Sequence, residues 1–306
     1  ENTFGGSLFD RFRSLVLADD GGFVMAGETD SNDGDIDDNN GLYDMWLVKT
    51  DSEGNLEWSQ TYGSSSIDRA SVLKKHADGG YIMAGSALAG NGDVSELTGI
   101  RDIWVVWTDE DGNILQNKTY GNESSYSLGY DLYGPVNGGN WILTGTIADL
   151  LNDNSSGDTW IAEIDGFGEV IWSVASGGNG EDADSRVLPT ENGYLISGST
   201  DSEDGDLEFQ TNAGSRDLWV YNLEITVNTR DLSDPSIVVF PNPTEQVLRV
   251  AGMDAVREIR LFEMGGKTVK TVANQNHMNI SELSPGTYTA EFRNENTVVT
   301  RKIVIR

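Results

Sequence analysis

The chain has 306 residues, 37% of them hydrophobic, and it carries a formal net charge of −30. It contains no cysteine and only two histidines, which excludes disulfides, thiolate chemistry and His-rich metal sites. So acidic a chain repels phosphate backbones, and we therefore expect no nucleic-acid partner.

The charge divides the chain into two parts. Residues 1–234 contain 11 Lys and Arg against 43 Asp and Glu, a net charge of −32. Residues 235–306 contain 9 against 7, a net charge of +2. A length of 306 suggests about two domains, and the change in charge separates a strongly acidic region from a nearly neutral one.

An internal repeat occupies the acidic region. An Asp-x-Trp signature recurs four times, and its tryptophans are 58, 56 and 59 residues apart. A Gly-rich turn and an apolar run precede each signature, and an Asp followed by a hairpin turn comes after most of them. The four tryptophans of the signature are Trp46, Trp104, Trp160 and Trp219.

Each repeat predicts four β-strands. In the second repeat these are residues 70–73, the run after Gly79-Gly80, the Asp-x-Trp run, and the run after the hairpin at 109–113. Glycines allow the positive φ of tight turns, and β-branched and aromatic residues suit half-buried strands. Four strands at a fixed period are typical of a β-propeller blade. We therefore predict an all-β chain whose residues 1–225 form a β-propeller-like domain with blades of about 58 residues.

The first residues of the chain leave two alternatives open. Residues 3–10 correspond to residues 61–68, so they read as the end of a fourth strand without its beginning. The segment either completes the last blade and closes a ring, or further blades precede Glu1.

The acidic loops between the second and third strands are candidate cation sites. The first loop alternates Asp33, Asp35 and Asp37 around a glycine, and oxygen ligands of this kind suit Ca²⁺. It is not an EF-hand loop, because its glycine is misplaced and the glutamate at position 12 is absent. Calcium binding and a solvated acidic turn are the alternatives, and no other cofactor is expected.

The tryptophans are candidates either for core packing or for a sugar-binding platform. The repeated ones recur in register, which favours packing between blades. Trp107 and Trp141 break the pattern, so we expect these two on an exposed binding surface.

The sequence predicts that the chain is not an enzyme. Carboxylates could serve a glycosidase, but here they recur at the same phase in each repeat, as structural residues do. His76 and His277 give no catalytic triad, and both are read as exposed or hydrogen-bonded side chains.

Residues 226–236 are polar and lack an aromatic anchor, so we interpret them as an interdomain linker. Two prolines one residue apart, Pro241 and Pro243, then mark the start of a new unit, because neither can donate within a central strand. Short alternating runs follow up to Arg306. We predict a small β-domain over residues 237–306.

This last region resembles the type A C-terminal sorting domain of proteins that the type IX secretion system of Bacteroidetes exports. Met264 departs slightly from the family pattern, which otherwise matches in order. The matching elements are Val239-Phe240-Pro241-Asn242-Pro243-Thr244, Val247-Leu248-Arg249-Val250, the segment from Ile259 to Lys267, the segment from Ile280 to Tyr288, and Lys302.

The resemblance implies a seven-stranded, Ig-like β-sandwich that the outer-membrane type IX translocon and its shuttle barrel protein recognise. It implies a secreted or cell-surface protein. We expect the exposed edge and loops of the sandwich to carry the signal. The candidate export-signal residues are Phe240, Pro241, Asn242, Pro243, Gly265, Gly266, Lys267, Pro285, Gly286, Tyr288 and Lys302.

Taken together, the sequence predicts a type IX cargo protein whose repeat domain binds or adheres at the cell surface, with surface glycans or proteins as candidate ligands. The alternative is a secreted enzyme that acts on polysaccharide, with its active site at a face of the propeller.

Overall fold

The computed structural model divides the chain into two compact units, Glu1–Glu224 and Ile225–Arg306. The predicted linker, 226–236, lies outside the described residues, and the predicted domain boundaries stay a prediction. No helix in the described part of the chain is long and apolar enough to span a membrane. The structure describes residues 1–76, 79–94, 96–123, 125–136, 139–149, 157–191, 193–207, 215–224, 238–240, 247–251, 256–263, 268–294 and 298–305.

The first unit consists of four antiparallel sheets that follow one another along the chain, which we call blades 1 to 4. In each, the strands are hydrogen-bonded in sequence order. Blade 1 contains β1 (Asp10–Leu17), β2 (Phe23–Thr29), β3 (Asp44–Thr50) and β4 (Leu56–Tyr62). Blade 2 contains β5 (Arg69–Lys75), β6 (Tyr81–Ala87), β7 (Asp102–Thr108) and β8 (Ile114–Tyr120).

Blades 3 and 4 continue the same order. Blade 3 contains β9 (Ser125–Tyr133), β10 (Trp141–Asp149), β11 (Asp158–Ile164) and β12 (Val170–Ser176). The described strands of blade 4 are β13 (Asp182–Thr190), β14 (Gly193–Thr200) and β15 (Asp217–Glu224), with a short 3-10 turn at Gly205–Leu207.

Neighbouring blades pack face to face. Strands β3, β6 and β7 are buried along their whole length, because both faces of these sheets are covered. One hydrophobic cluster joins Leu47 of blade 1 to Met83 and Trp104 of blade 2. A second joins Val105 of blade 2 to Leu143 of blade 3. This repeated packing of four-stranded antiparallel sheets confirms the all-β, propeller-like prediction.

The second unit is a two-sheet sandwich. One sheet has the order β16 (Val238–Phe240), β17 (Val247–Ala251), β20 (His277–Asn279). The other has the order β19 (Thr268–Ala273), β18 (Glu258–Glu263), β21 (Gly286–Arg293), β22 (Val298–Ile305). Side chains from both sheets form one core, which confirms the predicted small sandwich. Its members include Leu248, Val250, Ile259, Leu261, Met278, Phe292 and Ile303.

Candidate functional sites

The acidic loop of blade 1 binds backbone rather than presenting free carboxylates. Five consecutive amides, Gly5 to Phe9, each donate a hydrogen bond to a side chain of the same blade. The acceptors, in order, are Asp35 Oδ2 (2.9 Å), Asp10 Oδ2 (2.8 Å), Asp33 Oδ1 (2.6 Å), Ser31 Oγ (2.9 Å) and Asp30 Oδ1. We call this arrangement of turn 5–9 on loop 30–35 the amide clasp.

The amide clasp recurs in blades 2 and 4. Asp93 Oδ2 accepts from the Gly63 amide at 3.0 Å, and Asp206 Oδ2 accepts from the Gly177 amide at 3.1 Å. The Asp93 amide donates back to the Gly63 carbonyl oxygen at 3.0 Å. Gly63 directly follows β4 and Gly177 directly follows β12, so these two clasps tie the end of one blade to a loop of the next.

The clasp explains the glycine between the two aspartates of the loop. Gly34 has a φ of +71°, and a Cβ on it would lie 2.3 Å from the Gly5 carbonyl oxygen. A Cβ on Gly92 would likewise lie 2.4 Å from the Gly63 carbonyl oxygen. A side chain would therefore separate the loop from the turn. Sequence reasoning missed this role, although the signal is regular: in each described clasp a glycine stands 29 or 30 residues before the second polar residue of an Asp-Gly-Asp or Asn-Gly-Asp run.

The candidate calcium ligands are thus placed as follows. Asp33 and Asp35 each accept a backbone hydrogen bond in the clasp, and Asp37 is exposed. Within the described ranges, no group of three or more Asp, Glu and His side chains is arranged to hold a metal ion. Cation binding at this loop stays a prediction.

The prediction that Trp107 and Trp141 form an exposed binding surface is wrong. Trp107 is 4% exposed and Trp141 is fully buried. Trp107 packs in the cluster between blades 2 and 3, and Trp141 stacks on His76 with 6.2 Å between ring centroids. They depart from the sequence pattern because they fill the space between two blades, where a large aromatic side chain is stabilising.

A group of buried carboxylates lies where blades 1 and 2 meet. Asp44, of the first Asp-x-Trp signature, is fully buried and accepts the Asn40 amide at 2.7 Å. Burial raises the pKa of Asp44 to about 7, the Asn40 hydrogen bond opposes that shift, and the negative charges of Asp68, Asp93 and Asp38 add to it. The junction therefore changes charge near neutral pH.

We expect Asp44→Asn to reduce the pH dependence of stability. A carboxyl whose folded pKa is raised favours the folded state below its unfolded pKa of about 4, and this contribution is lost as pH rises through 7. One proton accounts for at most about 1.4 kcal/mol per pH unit. The measurement is urea unfolding at pH 5, 6, 7 and 8, followed by tryptophan fluorescence. All eight tryptophans lie between residues 46 and 219, so the signal reports the first unit alone. Parallel pH profiles for variant and native protein would contradict the assignment to Asp44.

The candidate export-signal residues fall into two groups. Pro241, Asn242, Pro243, Gly265, Gly266 and Lys267 lie outside the described residues. Phe240 ends the edge strand β16, where it pairs with Arg249, and Lys302 pairs with Thr289 in the edge strand β22. Pro285 and Gly286 are exposed at the start of β21.

For Tyr288 the structure corrects the expectation of an exposed recognition residue. Its side chain is 8% exposed and belongs to the core of the sandwich. Its hydroxyl donates to the Ser284 carbonyl oxygen at 2.8 Å, so Tyr288 fixes the turn that presents Pro285 and Gly286.

Comparison with solved structures finds propeller glycosidases. The chain is 11% identical to the α-L-arabinofuranosidase of Fusarium graminearum, with a TM-score of 0.43. The alignment covers 95% of this chain and 92% of the arabinofuranosidase. The α-L-arabinanase of Penicillium chrysogenum is 11% identical with a TM-score of 0.41, and the alignment covers 95% of this chain and 92% of the arabinanase. A GH32 β-fructofuranosidase of Bombyx mori is 12% identical with a TM-score of 0.34, and the alignment covers 94% of this chain and 73% of the fructofuranosidase. A comparison with curated proteins finds no match.

The prediction that the chain is not an enzyme is not upheld, since several of the similar solved structures are glycoside hydrolases. At these identities and TM-scores the likeness assigns this chain neither a reaction nor a substrate.

The second unit gives the more direct comparison. Residues 238–306 match the family model of the secretion system C-terminal sorting domain. The matched range begins at β16 and includes every described strand of the sandwich. Such a domain marks the chain as an exported cargo, so residues 238–306 are a type IX sorting signal that directs the protein across the outer membrane to the cell surface or the medium.

Proposed function

We propose that the outer-membrane translocon and its shuttle barrel protein, in a bacterium of the Bacteroidetes, recognise the sandwich, and that the repeat unit then binds a ligand or adheres at the cell surface. The observation that carries this proposal is the match of residues 238–306 to the sorting domain. Supporting it, β16 and β22 are both edge strands. An edge strand offers unpaired backbone groups with which a receptor can pair.

The repeat unit is suited to a ligand-binding role outside the cell. Its net charge of −32 over residues 1–234 favours solubility and opposes non-specific association with acidic surfaces. Its blades form one continuously packed array, which gives loops and clefts a rigid support. Turnover of a bound polysaccharide is compatible with this role, since a glycosidase also has to bind its substrate. Release of reducing sugars by the full chain, assayed on a polysaccharide panel, would identify such an activity.

Deletion of residues 235–306 is expected to abolish export. In a bacterium with a type IX system, we expect at least a tenfold loss of the protein from the surface and medium, with accumulation in the periplasm. The measurement is immunoblotting of the cell fractions, with the full chain as reference. Tryptophan fluorescence of the truncated protein verifies that the first unit is still folded, because that unit contains all eight tryptophans. Arrival of a folded, truncated protein in the medium at the normal level would overturn the proposal.

A fusion supplies the matched control. Residues 225–306 joined to an unrelated periplasmic carrier are expected to bring the carrier to the surface or medium. The same fusion ending at residue 297 lacks β22 and is expected to remain in the periplasm.

A further inference from the structure

A polar cleft opens between blades 1 and 2. Its volume is about 500 Å³, within the range of small-molecule sites. Lys49, Glu57 and Trp58 of blade 1 line one side, and Tyr81, Glu110 and Asp111 of blade 2 line the other. None of these residues belongs to the amide clasps or to the sorting domain.

The third residue after the signature tryptophan differs from blade to blade. Lys49 stands three residues after the tryptophan of its signature, where blade 2 has Trp107 and blade 3 has Glu163. The indole of Trp107 is buried between blades 2 and 3. Glu163 accepts hydrogen bonds from Asn140 Nδ2 and Trp172 Nε1, both at 2.6 Å. Blade 1 instead carries a long cationic side chain here and leaves the space open.

Lys49 carries a positive charge to the floor of the cleft. Its side chain is 6% exposed, and Nζ donates to Asp20 Oδ2 at 2.7 Å, to Glu57 Oε2 at 2.5 Å and to the Thr50 carbonyl oxygen at 3.1 Å. Burial lowers the pKa of Lys49, but its bonds to Asp20 and Glu57 outweigh that effect and raise it. Burying a charge has a desolvation cost, whereas a tryptophan at this position, as in blade 2, fills the space without it.

Charges of both signs face the same space. Lys75, which pairs with Asp19, adds a second ammonium to the lining, and Glu110 and Asp111 add carboxylates from the hairpin of blade 2. The carboxylates of the lining outnumber its two ammonium groups, which already pair with Asp19, Asp20 and Glu57, so the lining opposes an anion. A hydroxyl group, by contrast, both donates and accepts. Closely spaced donors and acceptors therefore favour a neutral ligand with many hydroxyls.

One wall of the cleft is aromatic and held in place. The indole of Trp58 is half-buried, and its ring centroid lies 6.5 Å from that of Tyr81. Behind it, Gly112 leaves room for the ring, since a Cβ there would come within 2.9 Å of the indole. A rigid aromatic face beside polar groups matches a sugar ring, which has apolar C–H faces and hydroxyls at its rim.

We propose that this cleft binds a short stretch of a neutral polysaccharide, with a sugar ring packed on Trp58 and its hydroxyls bonded to Glu57 and Glu110, while Lys49 holds the Glu57 carboxylate in place. This inference rests on the proposed ligand-binding role of the repeat unit. It assigns that role to a specific site and to one chemical class of ligand.

The test measures binding of the full chain to neutral hexose and pentose oligosaccharides of four to six units, by isothermal titration calorimetry. We expect saturable binding of at least one oligosaccharide. Trp58→Ala is expected to weaken it at least tenfold. Glu110→Gln, an exposed and conservative change that keeps the fold, is expected to weaken it several-fold. The matched control is Glu53→Gln on the corresponding hairpin of blade 1, outside the cleft, which is expected to leave affinity unchanged.

The failures of the two proposals are distinguishable. No saturable binding across the panel, or binding that Trp58→Ala and Glu110→Gln leave intact, overturns the cleft assignment. Tighter binding of a polyamine than of any oligosaccharide overturns the ligand class. Retention of the native protein and both variants alike on purified cell-surface material would keep the binding role and reject the cleft as its site.

Discussion

Replacing Gly27 by alanine is expected to lower the free energy of unfolding of the repeat unit by about 3 kcal/mol or more. Gly27 lies in β2 opposite a bulge in β1, and a Cβ on it would lie 1.8 Å from the Arg11 carbonyl oxygen. The obstruction is backbone, which cannot rotate away as a side chain could. The measurement is urea unfolding followed by tryptophan fluorescence.

Gly166→Ala is the matched control for this change. It lies in the hairpin of blade 3, and a Cβ there would meet nothing within 4 Å. We expect its effect to stay within about 0.5 kcal/mol. Equal losses for Gly27→Ala and Gly166→Ala would show that the bulge does not bring β1 against Gly27 as described.

Trp46→Ala is expected to destabilise the repeat unit by about 3–5 kcal/mol, because it empties a large buried site. Trp46 is fully buried, stacks on Phe12 with ring centroids 4.7 Å apart, and donates from Nε1 to Ser59 Oγ at 2.7 Å. Removing the indole also leaves the partner hydroxyl without its donor. The measurement is the midpoint of urea unfolding, followed by near-ultraviolet circular dichroism.

Trp160 provides the comparison within the same signature. It is only half-buried, and its ring lies 5.8 Å from Tyr120 at a tilted angle. We expect Trp160→Ala to cost less than half as much as Trp46→Ala. A larger loss at Trp160 would mean that burial of the signature tryptophan does not determine its contribution.

Much of the architecture could be predicted from the sequence because it depends on local patterns. The Asp-x-Trp runs formed the fully buried strands β3 and β7, since a strand covered on both faces needs apolar residues at every position. The hairpins after them formed where Asp51 and Asp109 each accept amides of the following turn. These contacts lie within a few residues of one another, and a single repeat contains them.

What the sequence did not reveal depends on contacts between blades. Trp107 departs from the repeat because it fills a space between two blades, whereas Lys49, at the equivalent position of blade 1, lines an open cleft. The sequence alone shows neither environment. The carboxylates of Asp33 and Asp35 looked like cation ligands because their partners, the amides of Ser7 and Gly5, are 26 and 30 residues away. Composition gives the number of carboxylates, but the fold determines which hydrogen-bond donors each carboxylate binds.

The amide clasps have a consequence for how the array comes apart. Where such a connection is described, the last strand of one blade ends in a turn several of whose backbone donors bond to side chains of its successor. When that successor melts, those donors lose their acceptors, and the blade before it is weakened. Because the successor's loop also donates back to that turn, loss of order in one blade is expected to weaken its neighbour on either side, which couples modules that would otherwise unfold separately.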